Sequence, residues 1–192
     1  MTLRVAINGF GRIGRQTLRA MIERTPDVEV VAVNDRGTAA QAAAHLFKHD
    51  STYGAYPGSV ALEGDTLVVD GRRIAVYDQP DATQLPWARL GVDIVIDATG
   101  AYTDGRKAAV HLEAGARRVI ITAPAKNEDV TIVLGVNERR YDPARHRIIS
   151  NASCTTNCLA PTVKVIADAF GIEHGLMTTI HSYTNDQRIL DV

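Results

Sequence analysis

Two cysteines, six histidines and a glycine-rich turn carry most of the reactive potential of this chain of 192 residues. Cys154 lies in Ser150-Asn151-Ala152-Ser153-Cys154-Thr155-Thr156-Asn157-Cys158, a polar run that leaves a short apolar stretch and enters a helical pattern. Ser, Thr and Asn cluster there because the first N–H groups of a helix need acceptors. Cys154 is thus expected at or near a helix N-terminus, where positive potential stabilises a thiolate and lowers the thiol pKa. Cys158 falls one turn deeper and reads as a small buried apolar side chain. A thiolate nucleophile needs a base or imidazolium partner. His45, His49, His111, His146, His174 and His181 are all available, and spacing alone does not choose among them. His181 has the best topology, because it ends the segment that follows the cysteine helix. Cys154, Cys158 and a histidine lack a standard four-ligand spacing, so no metal is expected.

A second constellation sits near the start. Gly9-Phe10-Gly11-Arg12-Ile13-Gly14 fits G-x-G-x-x-G between a strand pattern and a helix pattern. In such a turn the first glycine permits the tight bend, the second lets a pyrophosphate approach the backbone, and the third lets helix and strand pack closely. The N–H groups of Arg12 and Ile13 would face the anion. Asp35 lies 21 residues beyond Gly14, at the end of the second strand pattern. A carboxylate there reaches the ribose hydroxyls of an adenosine. Arg36 follows directly and would attract a 2′-phosphate that Asp35 repels, so NAD is favoured and NADP use stays open.

The elements that must position these groups alternate. Residues 3–8 are a strand, 12–23 a helix with Ile13, Leu18, Met21 and Ile22 apolar, 28–33 a buried strand, and 39–47 an alanine-rich helix. That order predicts a right-handed parallel unit. Residues 60–76 break into short strands at Gly64-Asp65 and Asp70-Gly71 and read as antiparallel hairpins inserted into the sheet. Residues 92–98 resume the parallel pattern, 107–114 are helical, and 117–122 and 147–150 are strands. Residues 154–170 are a helix with Leu159, Val163, Ile166, Ala167 and Phe170 on its apolar positions, and Gly171 ends it. Residues 172–183 read as one more strand, with Leu176, Thr178 and Ile180 on one face. Ile189, Leu190 and Val192 follow with no later element to pack on. The fold class is α/β: a Rossmann-type, doubly wound, mainly parallel sheet with a small antiparallel insertion. The first helix and strand of an α+β catalytic domain follow it. The boundary falls between residues 1–153 and 154–192.

Composition bounds the alternatives. A formal net charge of −1 argues against an electrostatic nucleic-acid or membrane binder. No apolar run is long enough to span a bilayer, and the first residues lack a signal-peptide layout. Two cysteines cannot build a disulfide framework at this length, which suits a reducing compartment, the cytoplasm.

Residues 6–15, the Ser150–Cys158 run, and His181-Ser182-Tyr183-Thr184-Asn185-Asp186-Gln187 together resemble glyceraldehyde-3-phosphate dehydrogenases of the phosphorylating type. The resemblance includes Lys48-His49-Asp50-Ser51-Thr52 and Ala98-Thr99-Gly100, and it spans the family's nucleotide domain and the opening of its catalytic domain. It implies that Cys154 attacks an aldehyde, with His181 taking the hydroxyl proton and supporting the thiolate. Asn8, Gly9, Phe10, Gly11, Arg12, Ile13, Gly14, Asp35, Arg36, Thr99, Gly100 and Thr122 would bind the dinucleotide. Ser153 and Thr155 would hold inorganic phosphate, and Thr184 and Asp186 the phosphate of glyceraldehyde 3-phosphate. A homotetramer is likewise implied. Asp35-Arg36 departs from the usual NAD-specific form, in which an apolar residue follows the aspartate. The segment 77–80 lacks an arginine often found there. Erythrose-4-phosphate dehydrogenases share the Cys and His motifs but usually lose the Tyr183-Thr184 pair, which favours the triose substrate. Taken alone, the chain is expected to behave as a dinucleotide-binding module of weak affinity and negligible turnover. A redox-sensing role for Cys154 is a further reading.

Overall fold

The computed structural model describes residues 2–184. Strands β1 (Leu3–Asn8) and β2 (Val28–Asn34) form where Val, Ile and Ala dominate short runs, and helix α1 (Arg12–Arg24) joins them. Helix α2 (Ala40–Lys48) precedes three short strands, β3 (Val60–Glu63), β4 (Thr66–Val69) and β5 (Arg72–Tyr77). Then come β6 (Ile94–Asp97), helices α3 (Gly105–Ala108) and α4 (Val110–Glu113), β7 (Arg118–Ile121), β8 (Val130–Thr131), β9 (Ile148–Ser150) and α5 (Cys154–Phe170).

The strands make one sheet in the order β3-β4-β5-β2-β1-β6-β7-β9-β8. Among the described residues only the β3–β4 and β4–β5 pairs are antiparallel; β5 runs parallel to β2, and all other pairs are parallel. The expected α/β class is therefore the observed one. The antiparallel hairpins extend one edge of the sheet rather than interrupt it, because β5 returns in the parallel sense and takes the place beside β2.

Alternate residues of the strands feed two layers. Val5 and Ile7 of β1 pack with Leu18 of α1 and Phe47 of α2 on one face. Ala6 packs with Ala32, Trp87 and Val95 on the other. Leu18, Phe47 and Trp87 are fully buried, each worth about 1.5–3 kcal/mol of burial. A third cluster, Ala108, Val119, Ile121 and Ile148, seats α3 on β7 and β9. The β1–β2 ladder shifts register between Val5 and Ala6, so that β2 carries one extra residue there and Asn8 stands level with Asn34.

Three expectations do not hold. Residues 172–184 form no strand: Leu176 and Ile180 alternate correctly but are fully exposed, and no described segment lies alongside to complete a ladder. The helix expected over 107–114 splits into two short turns that meet at Ala109. Ile13, counted on the apolar face of α1, is exposed, because it belongs to the turn end of the helix and not to the stripe that meets the sheet. Strand β8 is too short to leave a periodic signal. Residues 185–192, with Asp186, Ile189, Leu190 and Val192, lie outside the described residues.

Candidate active site

Sheet order fixes where ligands can sit. From β1 the chain winds to one side through β2 and β5, then returns to β6 on the other. The C-terminal ends of β1 and β6 thus flank the point where the winding reverses, the place at which an open sheet of this kind offers a ligand crevice. The glycine turn follows β1, Asp35 follows β2, Thr99 and Gly100 follow β6, Thr122 follows β7, and Cys154 follows β9. These strands are parallel, so all of these groups share one rim.

Each turn glycine has a geometric reason. Gly9 takes φ +92°, and a Cβ on it would stand 2.7 Å from the Ala98 carbonyl carbon and the Thr99 nitrogen. A Cβ on Gly14 would meet the Gly9 oxygen at 2.0 Å, so α1 can approach β1 only without one. Nothing lies within 4 Å of a Cβ built on Gly11, which faces open space at the helix start. That clear backbone at the start of a thirteen-residue helix fits a pyrophosphate. The Asp35 carboxylate accepts a hydrogen bond from the Phe10 N–H at 2.9 Å and is thereby held beside the turn. Arg36 is exposed at the next position. The Arg12 side chain is engaged by the segment after α2, its Nη2 3.3 Å from Asp50 Oδ1 and 3.1 Å from Thr52 Oγ1. The N–H groups of Tyr53 and Thr52 pull the Asp50 carboxyl down to about 2.

The cysteine elbow is built locally. Ala152 adopts φ +59° just before the helix, an uncommon conformation for a residue with a side chain. Asn157 clamps this bend by donating to the Asn151 and Ser153 carbonyls at 2.7 and 3.0 Å. Ser153 is the N-cap; its hydroxyl accepts from the Thr156 N–H at 2.9 Å. Cys154 is the first helical residue, and its Sγ lies 3.3 Å from His181 Nε2. His181 Nδ1 faces the Ser182 carbonyl at 2.5 Å, so Nδ1 carries a proton and Nε2 is the atom that shares one with sulfur. The His181 hydrogen bond, the Thr155 N–H, the imidazole charge and the Thr155 hydroxyl lower the Cys154 pKa. The Ser182 carbonyl, then the Cys154 sulfur, raise that of His181. The shifts oppose each other in the sense that favours a thiolate–imidazolium pair.

Geometry therefore selects among the six histidines. His45 and His49 stack on each other with ring centroids 4.9 Å apart. His146 accepts from the Asp142 N–H, His174 is exposed, and His111 is fully buried. Only His181 meets Cys154. Cys158, expected in the core, is exposed, because α5 presents none of its residues to a buried face. Ser153, expected to hold a phosphate, already serves as the helix cap. Asn8, expected to face the dinucleotide, is 2% exposed and gives its side chain to Asp97 and Asn34. Thr184 is exposed near His181 in sequence, and Asp186 lies outside the described residues.

Sequence reasoning passed over the polar layer beneath the crevice. Asn34, Asp97 and His111 are buried and joined to Asn8, and Asp97 Oδ1 accepts from the Thr99 hydroxyl at 2.7 Å. The available signal was that β1, β2 and β6 each end an apolar run on Asn, Asn and Asp. Arg15 was also missed; its Nη1 donates to the Phe10 carbonyl at 2.8 Å and braces the turn. Among the described residues no three His, Cys, Asp or Glu side chains group to hold a metal, and no helix is long and apolar enough to cross a membrane.

Comparison with known proteins agrees with this geometry. The model for the family described as "Glyceraldehyde 3-phosphate dehydrogenase, NAD binding domain" matches residues 3–105, and that for the "C-terminal domain" of the same family matches residues 153–192. Glyceraldehyde-3-phosphate dehydrogenase of Geobacillus stearothermophilus is 58% identical over 192 residues, which is all of this chain and 57% of that protein. The Streptomyces coelicolor enzyme of the same name is 56% identical over 191 residues, all of this chain and 56% of its own length. That of Thermotoga maritima is 56% identical over 190 residues, 98% of this chain and 56% of its own. The chain thus spans little more than half the length of these relatives. With a dinucleotide crevice matched over residues 3–105 and a cysteine elbow at the start of the second match, the chain belongs to the glyceraldehyde-3-phosphate dehydrogenase family.

Proposed function

We propose that this chain supplies the dinucleotide crevice and the nucleophile of an NAD-dependent oxidation of glyceraldehyde 3-phosphate to 1,3-bisphosphoglycerate. The observation that carries the reading is the 3.3 Å approach of Cys154 Sγ to His181 Nε2 on the same rim as the glycine turn. When bound, NAD supplies the hydride acceptor. The Gly9 to Gly14 backbone would take its pyrophosphate and Asp35 its adenosine ribose. The Asp35 carboxylate favours NAD over NADP, since a 2′-phosphate there would meet a like charge. The exposed Arg36 leaves some NADP use open.

The side chains then divide the chemistry. Cys154 thiolate adds to the aldehyde carbon, and the carbonyl oxygen takes the proton of the His181 imidazolium, giving a thiohemiacetal and a neutral His181. His181 removes its hydroxyl proton, so that loss of hydride is assisted by the negative oxygen and leaves a thioester. Inorganic phosphate attacks the thioester carbonyl, the carbon–sulfur bond breaks, and an acyl phosphate leaves with Cys154 restored as thiolate. Thr155, next to Cys154, and Thr184, three residues beyond His181, would supply hydroxyls to the two phosphates. The Tyr183-Thr184 pair supports the three-carbon substrate over erythrose 4-phosphate. The same reading makes the enzyme glycolytic, cytoplasmic and homotetrameric.

Cys154 and His181 are both exposed, with no described residue shielding a thioester from water, so turnover by this chain is expected to be slight. The test is a single-turnover measurement with NAD, the triose phosphate and phosphate, alongside alkylation of Cys154 against pH. Reduced nicotinamide should form slowly and not at all in Cys154→Ser. Alkylation should inflect below the ordinary thiol value near 8.5, and His181→Asn should move it back toward that value. No reduced nicotinamide, combined with an ordinary thiol inflection, would overturn the reading.

A further inference from the structure

The buried polar groups beneath the crevice form one unbroken chain of hydrogen bonds, with Asp97 as its hub. Asp97 Oδ2 accepts from Asn8 Nδ2 at 2.7 Å and from His111 Nε2 at 3.2 Å. Asp97 Oδ1 accepts from the Thr99 hydroxyl at 2.7 Å and the Thr99 N–H at 3.2 Å, and the Thr99 hydroxyl in turn accepts from the Ala101 N–H. In the other direction Asn8 Oδ1 accepts from Asn34 Nδ2 at 2.7 Å. Asn34 Oδ1 accepts from the Gln79 N–H at 2.9 Å, and its Nδ2 also donates to the Gln79 carbonyl. Trp87 Nε1, a donor only, points at His111 Nδ1 at 3.2 Å, so Nδ1 accepts and Nε2 carries the proton given to Asp97.

The two ends of this chain emerge on opposite walls of the crevice. Thr99, Gly100 and Ala101 follow β6, while Gln79 follows β5, beside the Asp35 wall, where the Asp35 N–H bonds to the Tyr77 carbonyl. A buried network of this kind is a costly way to fill space, because apolar side chains of the same volume pack as well without needing every partner. What apolar packing does not do is tie the position of one loop to that of another. We propose that Asn8, Asn34 and Asp97 are positioning residues that couple the two walls. A ligand half seated at the Asp35–Gln79 wall then tightens Thr99 and Gly100 at the other. This rests on the dinucleotide reading of the crevice and adds to it a linkage between the halves.

The experiment measures binding of AMP, which has only the adenosine half, and of NAD, to the chain and to Thr99→Val, Thr99→Ser and Asn34→Ala. Thr99→Val keeps the shape of an exposed side chain and removes its hydroxyl, while the Thr99 N–H stays on Asp97 Oδ1. AMP affinity should fall about three- to tenfold in Thr99→Val, return in Thr99→Ser, and fail to fall further when Thr99→Val is added to Asn34→Ala. Unchanged AMP affinity with weakened NAD binding would give Thr99 a local role and overturn the coupling. A ligand-free readout stands beside this. Trp87 is the single tryptophan of the chain, and its emission should shift in Thr99→Val and recover in Thr99→Ser. An unmoved spectrum would mean that Asp97 does not carry a change at Thr99 into the network, and would overturn the coupling at its first link. If the parent chain binds neither ligand, the dinucleotide reading falls, and hydrogen exchange of the Gln79 N–H, which bonds to Asn34 Oδ1, compared between the parent and Thr99→Val, decides separately whether the walls are linked: faster exchange supports the link and unchanged exchange overturns it.

Discussion

Alanine at Gly14 and alanine at Gly11 should have opposite consequences, although both residues belong to one turn. A Cβ on Gly14 would sit 2.0 Å from the Gly9 carbonyl oxygen, about 1 Å inside the 3.0 Å that Cβ atoms essentially never breach. The obstructing atom is backbone, so no rotamer change relieves it, and α1 must lift off β1. Overpacking of this severity costs about 3 kcal/mol, the upper part of the usual range. Replacing a helical glycine by alanine returns about 1 kcal/mol. The net loss of about 2 kcal/mol should lower the melting temperature by about 4–8 °C in a domain of this size. At Gly11 nothing lies within 4 Å and φ is −66°, so alanine is tolerated. Its methyl, however, occupies the space a pyrophosphate needs. Thermal unfolding and calorimetric titration with NAD would separate the two. Gly14→Ala should melt early, whereas Gly11→Ala should melt like the parent and lose at least about tenfold in NAD affinity. Parent-like NAD binding by Gly11→Ala would refute the assignment of the open backbone to the pyrophosphate. A parent-like melting curve for Gly14→Ala would refute the packing argument.

Two further outcomes follow from the elbow and from the Asp50 carboxyl. Ser153→Ala removes the acceptor of the Thr156 N–H and should cost about 1 kcal/mol at the start of α5, seen as roughly fivefold faster exchange of the Thr156 amide. Unchanged exchange would show that the cap is not made in solution. The Asp50 carboxyl, held at about 2 by the N–H groups of Tyr53 and Thr52, stabilises fully above its unfolded value near 3.9 and loses that contribution as pH falls through about 2. Asp50→Asn should therefore be less stable than the parent at neutral pH and show a shallower acid loss below pH ~4, measured by urea unfolding across that range. Equal acid slopes would place the shift elsewhere.

Much of the architecture is legible because it is local. The run from Leu3 to Asn8, the three glycines and the helix that follows leave a strand, a turn and a 3.6-residue period in plain order. Asp35 and Cys154 are equally readable, since each sits at a strand or helix terminus whose polar residues have an evident purpose. What escapes is non-local. No periodicity says that His111 of a four-residue turn meets Trp87 and Asp97, because that meeting depends on how α4 crosses the sheet. The alternation of Leu176, Thr178 and Ile180 is sound as a pattern, yet a strand is a relation between two segments, and no described partner lies beside it. Cys158 is judged by its residue type in the sequence and by its neighbours in space, and those neighbours leave it exposed.

The register shift between β1 and β2 turns strand length into a determinant of the crevice. Below the shift Val5 pairs with Val30, and above it Ala6 pairs with Ala32, so Val31 is the uncounted residue. Were the ladder to run on from Val5 without this shift, Val33 would stand opposite Asn8, and a methyl-bearing side chain would replace the amide that Asn8 now receives. The arithmetic of this one segment therefore decides whether two neighbouring strands end on matched amides or on a mismatch. Insertion of a further residue between residues 28 and 34 is for that reason a sharper hazard to the fold's chemistry than most substitutions on its outer helices, whereas loss of Val31 would leave the two amides level.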